Sequence, residues 1–330
     1  MTEALAAGLA HALGLAGPEA VRGLKRLSGG ASQETWAFEA LRPDGRSRRQ
    51  VLRRAPAGAE TRGGDKVGLA GEARLIGLAA AAGVPVPTVR CLLPAAAGLG
   101  QGFVTDWLDG ETLGARVAAA ARPALATQCG EALARIHALP AADLATLRRT
   151  QPAAEVAHLR AWHARHGTVR PVFQLALRWL AQHAPPDVPP ALVHGDFRNG
   201  NLMVDLAGDR LVGVLDWELA HLGDPMADLG WLCVASWRFG HTERPVGGFA
   251  DLAPLLEGYR AAGGEPDEAR VRWWQVLGTL RWGVMCESMG HAWLTGAEPV
   301  MERAAIARRA SENEIDLLTL LLPRPVSPLP

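Results

Sequence analysis

Residues 192–204 read LVHGDFRNGNLMV, and this stretch guides the interpretation of the whole chain. It contains His194, then Asp196 two residues on, then Asn201 five residues after the aspartate. A short loop would hold the Asp196 carboxylate towards an attacking hydroxyl, while Asn201, at the start of the next predicted strand, could turn its amide towards a metal ion. The spacing therefore predicts a base and a metal ligand fixed close together, as in the catalytic loops of phosphoryl transfer.

A second stretch, GVLDWE at residues 213–218, follows soon afterwards. We predict strands over residues 201–205 and 210–215, joined as a hairpin by the turn LAGD. An apolar strand that ends in Asp216 places a carboxylate at the strand tip, where it could meet Mg²⁺ bound to nucleotide phosphates. Asp216 is therefore the predicted second metal ligand beside Asn201.

The composition favours a folded enzyme with a small-molecule partner. The chain has 330 residues, 48% of them hydrophobic, which is enough for a sizeable core. Its 34 basic and 34 acidic residues cancel, so the charge indicates neither nucleic acid nor an anionic membrane as a partner. No run reaches the ~18 apolar residues that a membrane span needs. The four cysteines form no C-x-x-C pair, which predicts free thiols and a cytoplasmic location.

Local patterns predict an α+β fold. An amphipathic first helix is expected in residues 1–18. Five strands and one helix follow it in the first part of the chain. The strands are predicted at residues 21–27, 35–40, 50–53, 89–93 and 103–107, and the helix at 68–82. Helices are predicted at residues 112–121, 125–138, 153–165, 171–183, 271–287 and 304–322, so the later part of the chain is mainly helical.

Residues 192–232 resemble the aminoglycoside phosphotransferase and choline kinase superfamily. The segments VLRR (51–54), HGDFRNGNLMVD (194–205) and GVLDWELAHLGDPMADLGWL (213–232) are most similar to the branch associated with acyl-CoA dehydrogenases. The resemblance implies a protein-kinase-like, two-lobed fold. Residues 1–108 would form a β-rich nucleotide-binding lobe, and residues 109–330 a helical lobe with the catalytic loop and the metal-binding hairpin.

The same resemblance implies roles for individual residues. Asp196 would be the catalytic base, with Asn201 and Asp216 as Mg²⁺ ligands and ATP as the phosphoryl donor. His194 would brace the catalytic loop, and Asp228 would hold that loop by hydrogen bonds. A role for Glu218 is left open.

The first lobe should bind the nucleotide through a loop of small residues and through the segment that leads to the second lobe. A loop of small residues would cover the phosphates through its backbone N–H groups, and it consists of Ser28, Gly29, Gly30, Ala31 and Ser32. Thr105 and Trp107 fall where the chain would pass from one lobe to the other, and backbone groups there would contact the adenine edge. The alternative is that this segment has no role in nucleotide binding and is a linker with Trp107 packed beneath it.

The chief departure from kinase patterns concerns lysine. Kinases carry a phosphate-clamping lysine on the third strand, but Lys25 and Lys66 are the only lysines here, and neither lies on that strand. Arg53 occupies the position of that lysine, and Glu72 on the following helix is its predicted partner. Arg54 should face the other side of the strand and is the reserve candidate.

These observations predict an ATP-dependent enzyme that phosphorylates a hydroxyl group of a small molecule, with a hydroxyacyl compound suggested by the resemblance. Three alternatives stay open: an aminoglycoside or other antibiotic kinase, a nucleotide-binding pseudokinase with a regulatory role, and a metal-dependent hydrolase. The acceptor, the choice of ATP or GTP and the oligomeric state are also left open. The histidines at 158, 163 and 166 are interpreted as a solvated helix face.

Overall fold

The computed structural model describes residues 2–27, 33–56, 66–140, 144, 146–166 and 169–322. The chain divides into two compact units. The first unit contains Met1–Thr112 and Asn201–Ala220, and the second contains Leu113–Gly200 and His221–Pro330. The predicted hairpin after the catalytic loop thus belongs to the first unit.

In chain order, the elements are α1 (Thr2–Leu13), β1 (Val21–Arg26), β2 (Glu34–Leu41), β3 (Ser47–Arg54), α2 (Leu69–Ala81), β4 (Val89–Leu92), β5 (Gly102–Asp106), α3 (Gly114–Ala118), α4 (Pro123–His137), α5 (Pro152–Ala164), α6 (Pro171–Gln182), β6 (Ala191–Val193), β7 (Leu202–Asp205), β8 (Arg210–Val214), β9 (His221–Gly223), α7 (Met226–Leu232), α8 (Leu252–Ala261), α9 (Glu268–Leu294), α10 (Met301–Ala307) and α11 (Ala310–Leu321).

The first unit is built on an antiparallel sheet with strand order β1-β2-β3-β5-β4. Alternate residues of β2 point to one face, where Trp36, Phe38 and Ala40 are buried. Leu5 and Leu9 of α1 belong to the same hydrophobic core. The helix therefore covers one face of the sheet and closes an apolar core over it.

The β7–β8 hairpin positions both predicted metal ligands within the first unit. Leu202 pairs with Val214, and one step beyond that pair the Leu215 N–H donates to the Asn201 carbonyl at 2.8 Å. Gly213 is needed in β8 because a Cβ there would lie 2.5 Å from Cδ1 of Leu108. The pairing brings the backbone at Asn201 beside the residue that precedes Asp216.

The second unit is helical, with a short β6–β9 ladder at its centre. Leu192 pairs with Leu222 in this ladder, so the catalytic loop leaves β6 close to the point where the chain enters α7. The long helix α9 contacts α5, α6, α7, α10 and α11. Gly230 lets α7 approach α9 closely, because a Cβ there would lie 2.6 Å from the Cβ of Trp274.

The α+β fold class is confirmed, and so are the five strands and the helix predicted in the first part of the chain. Some boundaries were wrong: β3 begins at Ser47 instead of residue 50, α3 is only five residues long, and the last predicted helix is two helices, α10 and α11. The patterns missed β6, β9, α7 and α8. The two missed strands have three residues each and exist because they pair with each other, which local periodicity does not reveal.

Among the helices of the described residues, none combines the length and apolar character that crossing a bilayer requires. All four cysteines are free thiols, and Cys129, Cys233 and Cys286 are buried.

Candidate active site

The first unit gathers five charged side chains, which we call the Arg53 cluster: Lys66, Arg53, Glu72, Asp216 and Glu218. The Arg53 guanidinium lies 3.1 Å from Glu72 Oε2, and its Nη2 donates to Asp216 Oδ1 at 2.6 Å. A Glu218 carboxylate oxygen lies 3.8 Å from the same Nη2, and the other lies 2.9 Å from Lys66 Nζ. Arg53 therefore contacts the predicted helix glutamate and a predicted metal ligand at once.

Strand alternation separates Arg53 from Arg54. The Arg54 guanidinium donates from Nε to Glu34 Oε2 on the neighbouring strand β2, at 2.9 Å. The predicted Arg53–Glu72 pair is present, whereas the reserve candidate pairs within the sheet. Of the two arginines, only Arg53 contacts the Asp216 carboxylate in the described part of the chain.

Glu72 is the most buried member of the Arg53 cluster, with its side chain 1% exposed. Burial raises the pKa of the Glu72 carboxyl to about 7, although Arg53 and a hydrogen bond from Gln33 Nε2 act to lower it; Asp216 and Glu218 add to the rise. The Arg53 pKa is raised, because the three carboxylates outweigh the effect of its own burial. The Arg53–Glu72 pair therefore holds the Arg53 guanidinium against a buried carboxyl group.

Asp216 occupies a strained backbone position directly beyond β8. Its φ of 63° lies in the left-handed region, which non-glycine residues rarely adopt. The Asp216 side chain is 31% exposed, against 1% for Glu72. Such strain is found where a fold holds a side chain in a functional orientation.

The donor chemistry at Asn201 and Asp216 suits one kind of metal. Amide and carboxylate oxygens are hard ligands, and Mg²⁺ is commonly bound by one or two carboxylates together with phosphates and water. Within the described ranges, no group of three or more His, Cys, Asp or Glu side chains is arranged to hold a metal ion. The residues therefore fit Mg²⁺ that arrives with a nucleotide, and they do not fit an all-protein metal cage.

The other predicted nucleotide contacts fall on two segments. Thr105 is buried in β5, paired with Val51 and Val89. Trp107 is half-buried; its backbone N–H donates to the Arg49 carbonyl at 3.0 Å, and the Arg49 guanidinium lies 4.2 Å from the centre of its ring. Residues 28–32, the predicted phosphate-covering loop, lie outside the described residues.

In the second unit, Asp228 holds the loop that the sequence predicts to be catalytic. Its two carboxylate oxygens accept hydrogen bonds from the backbone N–H groups of His194 and Gly195, at 2.8 and 2.9 Å. The carboxylate is fully buried, and His137 Nε2 lies 3.1 Å from Oδ2, while His137 Nδ1 lies 2.8 Å from the Tyr259 hydroxyl. Burial acts to raise the Asp228 pKa, but the hydrogen bond and charge of His137 and the bonds from His194 lower it overall.

The predicted base, Asp196, is oriented by side-chain donors. Its Oδ1 atom accepts from Arg198 Nε and from Trp231 Nε1, both at 2.9 Å. The Asp196 N–H faces His194 Nδ1 at 3.2 Å, which is consistent with the bracing role expected of that histidine. Two donors on one oxygen fix the plane of the carboxylate.

Tryptophans and arginines surround this loop, and we call the set the Trp–Arg cluster: Trp231, Trp237, Trp282, Arg198 and Arg281. The ring centres of Trp231 and Trp237 are 5.2 Å apart, and those of Trp237 and Trp282 are 4.9 Å apart. Arg198 lies over Trp237 at 4.6 Å, and Arg281 lies over Trp231 at 5.2 Å. Trp231 and Arg281 also line a cavity of about 20 Å³ beneath the loop, which is enough for a single water molecule.

Several of these contacts were missed from the sequence. Trp231 and Arg198 lie inside the motif segments, so their position there was a usable signal, whereas nothing local marked Lys66 as a partner of Glu218. The interpretation of the three histidines was wrong for His163 and for His166, whose side chain is 9% exposed and lies 3.9 Å from Glu287. The His163 ring is buried and lies 2.7 Å from Glu287 of α9, an acidic partner supplied by a distant helix, whereas His158 is exposed as expected.

The arrangement is that of a kinase-like phosphotransferase. A choline/ethanolamine kinase family protein from Mesorhizobium loti matches with a TM-score of 0.64 and 23% identity, over 98% of this chain and 96% of the other. A spectinomycin phosphotransferase solved in complex with ADP and spectinomycin matches with a TM-score of 0.60 and 14% identity, over 91% of this chain and 93% of the other. At these identities the likeness shows the fold.

The profile of the Phosphotransferase enzyme family matches residues 23–274, so the chain belongs to that family. It is 31% identical over 223 residues to acyl-CoA dehydrogenase family member 10 of Mus musculus. That match covers 64% of this chain and 20% of the mouse protein. The expected family and enzyme class are thereby confirmed.

Proposed function

We propose that this protein uses ATP and Mg²⁺ to phosphorylate the hydroxyl group of a small molecule, with Asp196 as the base. The observation that carries this proposal is the pair of hydrogen bonds from Arg198 and Trp231 to a single oxygen of Asp196. A carboxylate held in this way needs little reorganisation when it takes the proton of an attacking hydroxyl. Asp228 supports the role by fixing the loop backbone.

Asn201 and Asp216 would hold Mg²⁺, which when bound neutralises charge on the phosphates. The Arg53 guanidinium contacts Asp216 in the present structure, so it would have to move from that carboxylate towards the phosphates. Glu72 would keep the other side of the guanidinium in place during this exchange. Arginine can do this because its planar fork presents several donors at once.

For the acceptor, we propose a hydroxyacyl compound. Arg281 lies over Trp231 and lines the same small cavity as Glu155, whose pKa its charge helps to lower. Arg148 forms the ion pair with that carboxylate at 2.8 Å, so the Arg281 guanidinium could also meet an anionic part of the acceptor. Aromatic rings beside it could pack against an aliphatic part. Guanidinium groups would repel a polycationic aminoglycoside. The relationship to an acyl-CoA dehydrogenase family member supports the same acceptor class.

Product analysis tests the proposal. The purified protein is incubated with ATP, Mg²⁺ and one acceptor at a time: a hydroxyacyl thioester, the free hydroxy acid, an amino alcohol and an aminoglycoside. Mass spectrometry should detect the phosphorylated hydroxyacyl thioester, with a far smaller yield from the aminoglycoside. The Asp196→Asn variant is the control for contaminating kinases.

Three results would overturn parts of this proposal. Preferential phosphorylation of the aminoglycoside would reject the acceptor class and leave the reaction type in place. Release of inorganic phosphate without any phosphorylated acceptor would favour a hydrolase. Nucleotide binding without turnover of either kind would favour a pseudokinase.

A further inference from the structure

The first unit contains a cavity of about 240 Å³, formed by residues with no part in the proposed reaction. It lies where the end of α1 and the segment after it meet β2, β3 and β4. Its lining combines apolar and cationic groups, chiefly Leu13, Leu15, Arg42, Arg48, Gln50 and Arg90. Sites for drug-sized ligands usually occupy roughly 300–1,000 Å³, so this cavity suits a smaller, metabolite-sized molecule.

The positive charge around the cavity exceeds the negative charge. Asp106 is the acidic partner of two lining arginines: Arg90 holds its carboxylate with a two-pronged contact, and Arg48 lies 3.6 Å away. Arg42 is exposed and has no carboxylate partner among the described residues. Arg48 and Arg90 thus share one carboxylate and Arg42 has none, which leaves an excess of two positive charges for an anion.

Gln50 supplies a second, independent sign of a ligand. The residue is 5% exposed, and a hydrogen bond from its side chain helps to lower the pKa of Asp106. Its Oε1 atom is buried and accepts no hydrogen bond within the part of the chain that the structure describes. A buried amide oxygen without a donor is costly, and a ligand donor would remove the cost.

We infer that this cavity binds a small hydroxycarboxylate, whose carboxylate meets Arg42 and Arg48, whose hydroxyl donates to Gln50 Oε1, and whose aliphatic part packs on Leu13 and Leu15. Each feature of this ligand corresponds to one feature of the lining. The guanidinium groups fit a carboxylate in a planar, two-pronged arrangement. The inference does not depend on the proposed phosphotransferase reaction.

Three probes that share one carbon skeleton test the inference by calorimetry on the full chain, without nucleotide. The first is 2-hydroxy-4-methylpentanoate, the second lacks the hydroxyl (4-methylpentanoate), and the third replaces the carboxylate with an alcohol (4-methylpentane-1,2-diol). The hydroxy acid should bind about tenfold more tightly than the diol and at least threefold more tightly than the compound without the hydroxyl. Equal affinities for the acid and the diol would overturn the inference.

Variants place the binding in this cavity. Arg42→Gln should weaken binding of the hydroxy acid about tenfold and leave the diol unchanged. Arg46→Gln is the matched control, because it removes the same charge from the same turn at a residue that does not line the cavity. Gln50→Leu should abolish the advantage of the hydroxyl. Hydroxy acid binding that survives Arg42→Gln unchanged would belong to another site and would contradict the proposal.

Discussion

The two units hold their key carboxylates in opposite ways. In the Arg53 cluster, three carboxylates share Arg53 and Lys66, so one negative charge is in excess when Glu72 is ionised. In the second unit, the Asp228 oxygens accept from two backbone N–H groups, and Asp196 accepts from two side chains. In the proposed reaction, the Arg53 cluster would have to rearrange to admit a cation and phosphates. The hydrogen bonds to Asp228 and Asp196 are already formed.

Under the proposed roles, this difference would separate nucleotide binding from catalysis in one chain. The Arg53–Asp216 pair is partly exposed, so water and a ligand can replace each partner when it breaks. A buried carboxylate with its donors in place is costly to disturb. Substitutions in the two groups should therefore differ in kind: those in the Arg53 cluster should alter nucleotide affinity and pH dependence, and those in the second unit should alter turnover or folding.

The largest expected effect is on turnover. Asp196→Asn should lower kcat by about 10³-fold with little change in the KM for ATP, because the amide cannot take the proton of the acceptor. Asp216→Asn should instead raise the Mg²⁺ concentration needed for activity. Steady-state rates measured against ATP and against Mg²⁺ separate the two. Asp187→Asn, at an exposed residue, is the control for loss of one carboxylate. If Asp196→Asn and Asp216→Asn showed the same dependence of rate on ATP and Mg²⁺, the proposed difference between the Arg53 cluster and the second unit would be wrong.

The next effect is on folding. Asp228→Asn should lower the free energy of unfolding by about 3 kcal/mol, since its amide nitrogen would replace one of the two accepting oxygens and face the N–H of either His194 or Gly195, and the buried charge would be lost. Tyr259→Phe removes only the hydroxyl beyond His137 and should cost about 1 kcal/mol. Urea unfolding of both variants measures the difference. Equal losses would show that the buried charge of Asp228 contributes nothing beyond an ordinary hydrogen bond.

A smaller effect concerns pH and separates the Arg53 cluster from the second unit. The Glu72 pKa of about 7 lies above its unfolded value near 4.5, so the folded chain binds more protons between these values. The stability that this group contributes is fully present below pH 4.5 and is lost as pH rises through 7. Asp228 has the opposite sign: its lowered pKa gives stability that is lost only as pH falls through the acidic range.

Glu72→Gln should remove this dependence. Between pH 5 and pH 8, the wild type should lose roughly 1 to 3 kcal/mol of stability relative to the variant. Thermal or urea unfolding across that range measures it, with Asp187→Asn as a variant that should parallel the wild type. Parallel curves for Glu72→Gln and the wild type would mean that the Glu72 carboxyl keeps an ordinary pKa.

The features that local sequence predicts are those encoded within a few residues. The β7–β8 hairpin follows from apolar runs and a turn, and the separation of Arg53 from Arg54 follows from strand alternation. Glu72 could be predicted as the partner of Arg53 because it lies on α2, the helix that follows β3. Short-range patterns therefore predict three members of the Arg53 cluster, which are Arg53, Glu72 and Asp216. They do not predict Lys66 and Glu218.

The second unit was harder because its contacts join distant parts of the chain. Trp231 donates to a residue 35 positions away, and the His137–Tyr259 contact spans 122 positions. His163 was assigned to solvent because its partner Glu287 lies 124 positions away on α9. Helical packing creates such pairs, and no local period records them. The motif resemblance supplied Asp228 as a support of the loop, but not the side chains that hold Asp196.

The smallest expected effect tests whether Trp231 positions the base. Trp231→Phe keeps an aromatic ring but removes the N–H that reaches Asp196 Oδ1, while Arg198 still donates to the same atom. We expect kcat to fall roughly three- to tenfold and the KM for ATP to stay constant, because one donor no longer orients the carboxylate that accepts the proton. Trp293→Phe, at an exposed tryptophan, is the matched control. An unchanged kcat, or a fall in kcat matched by a rise in the KM for ATP, would assign Trp231 to packing alone and would leave Arg198 as the donor that orients the base.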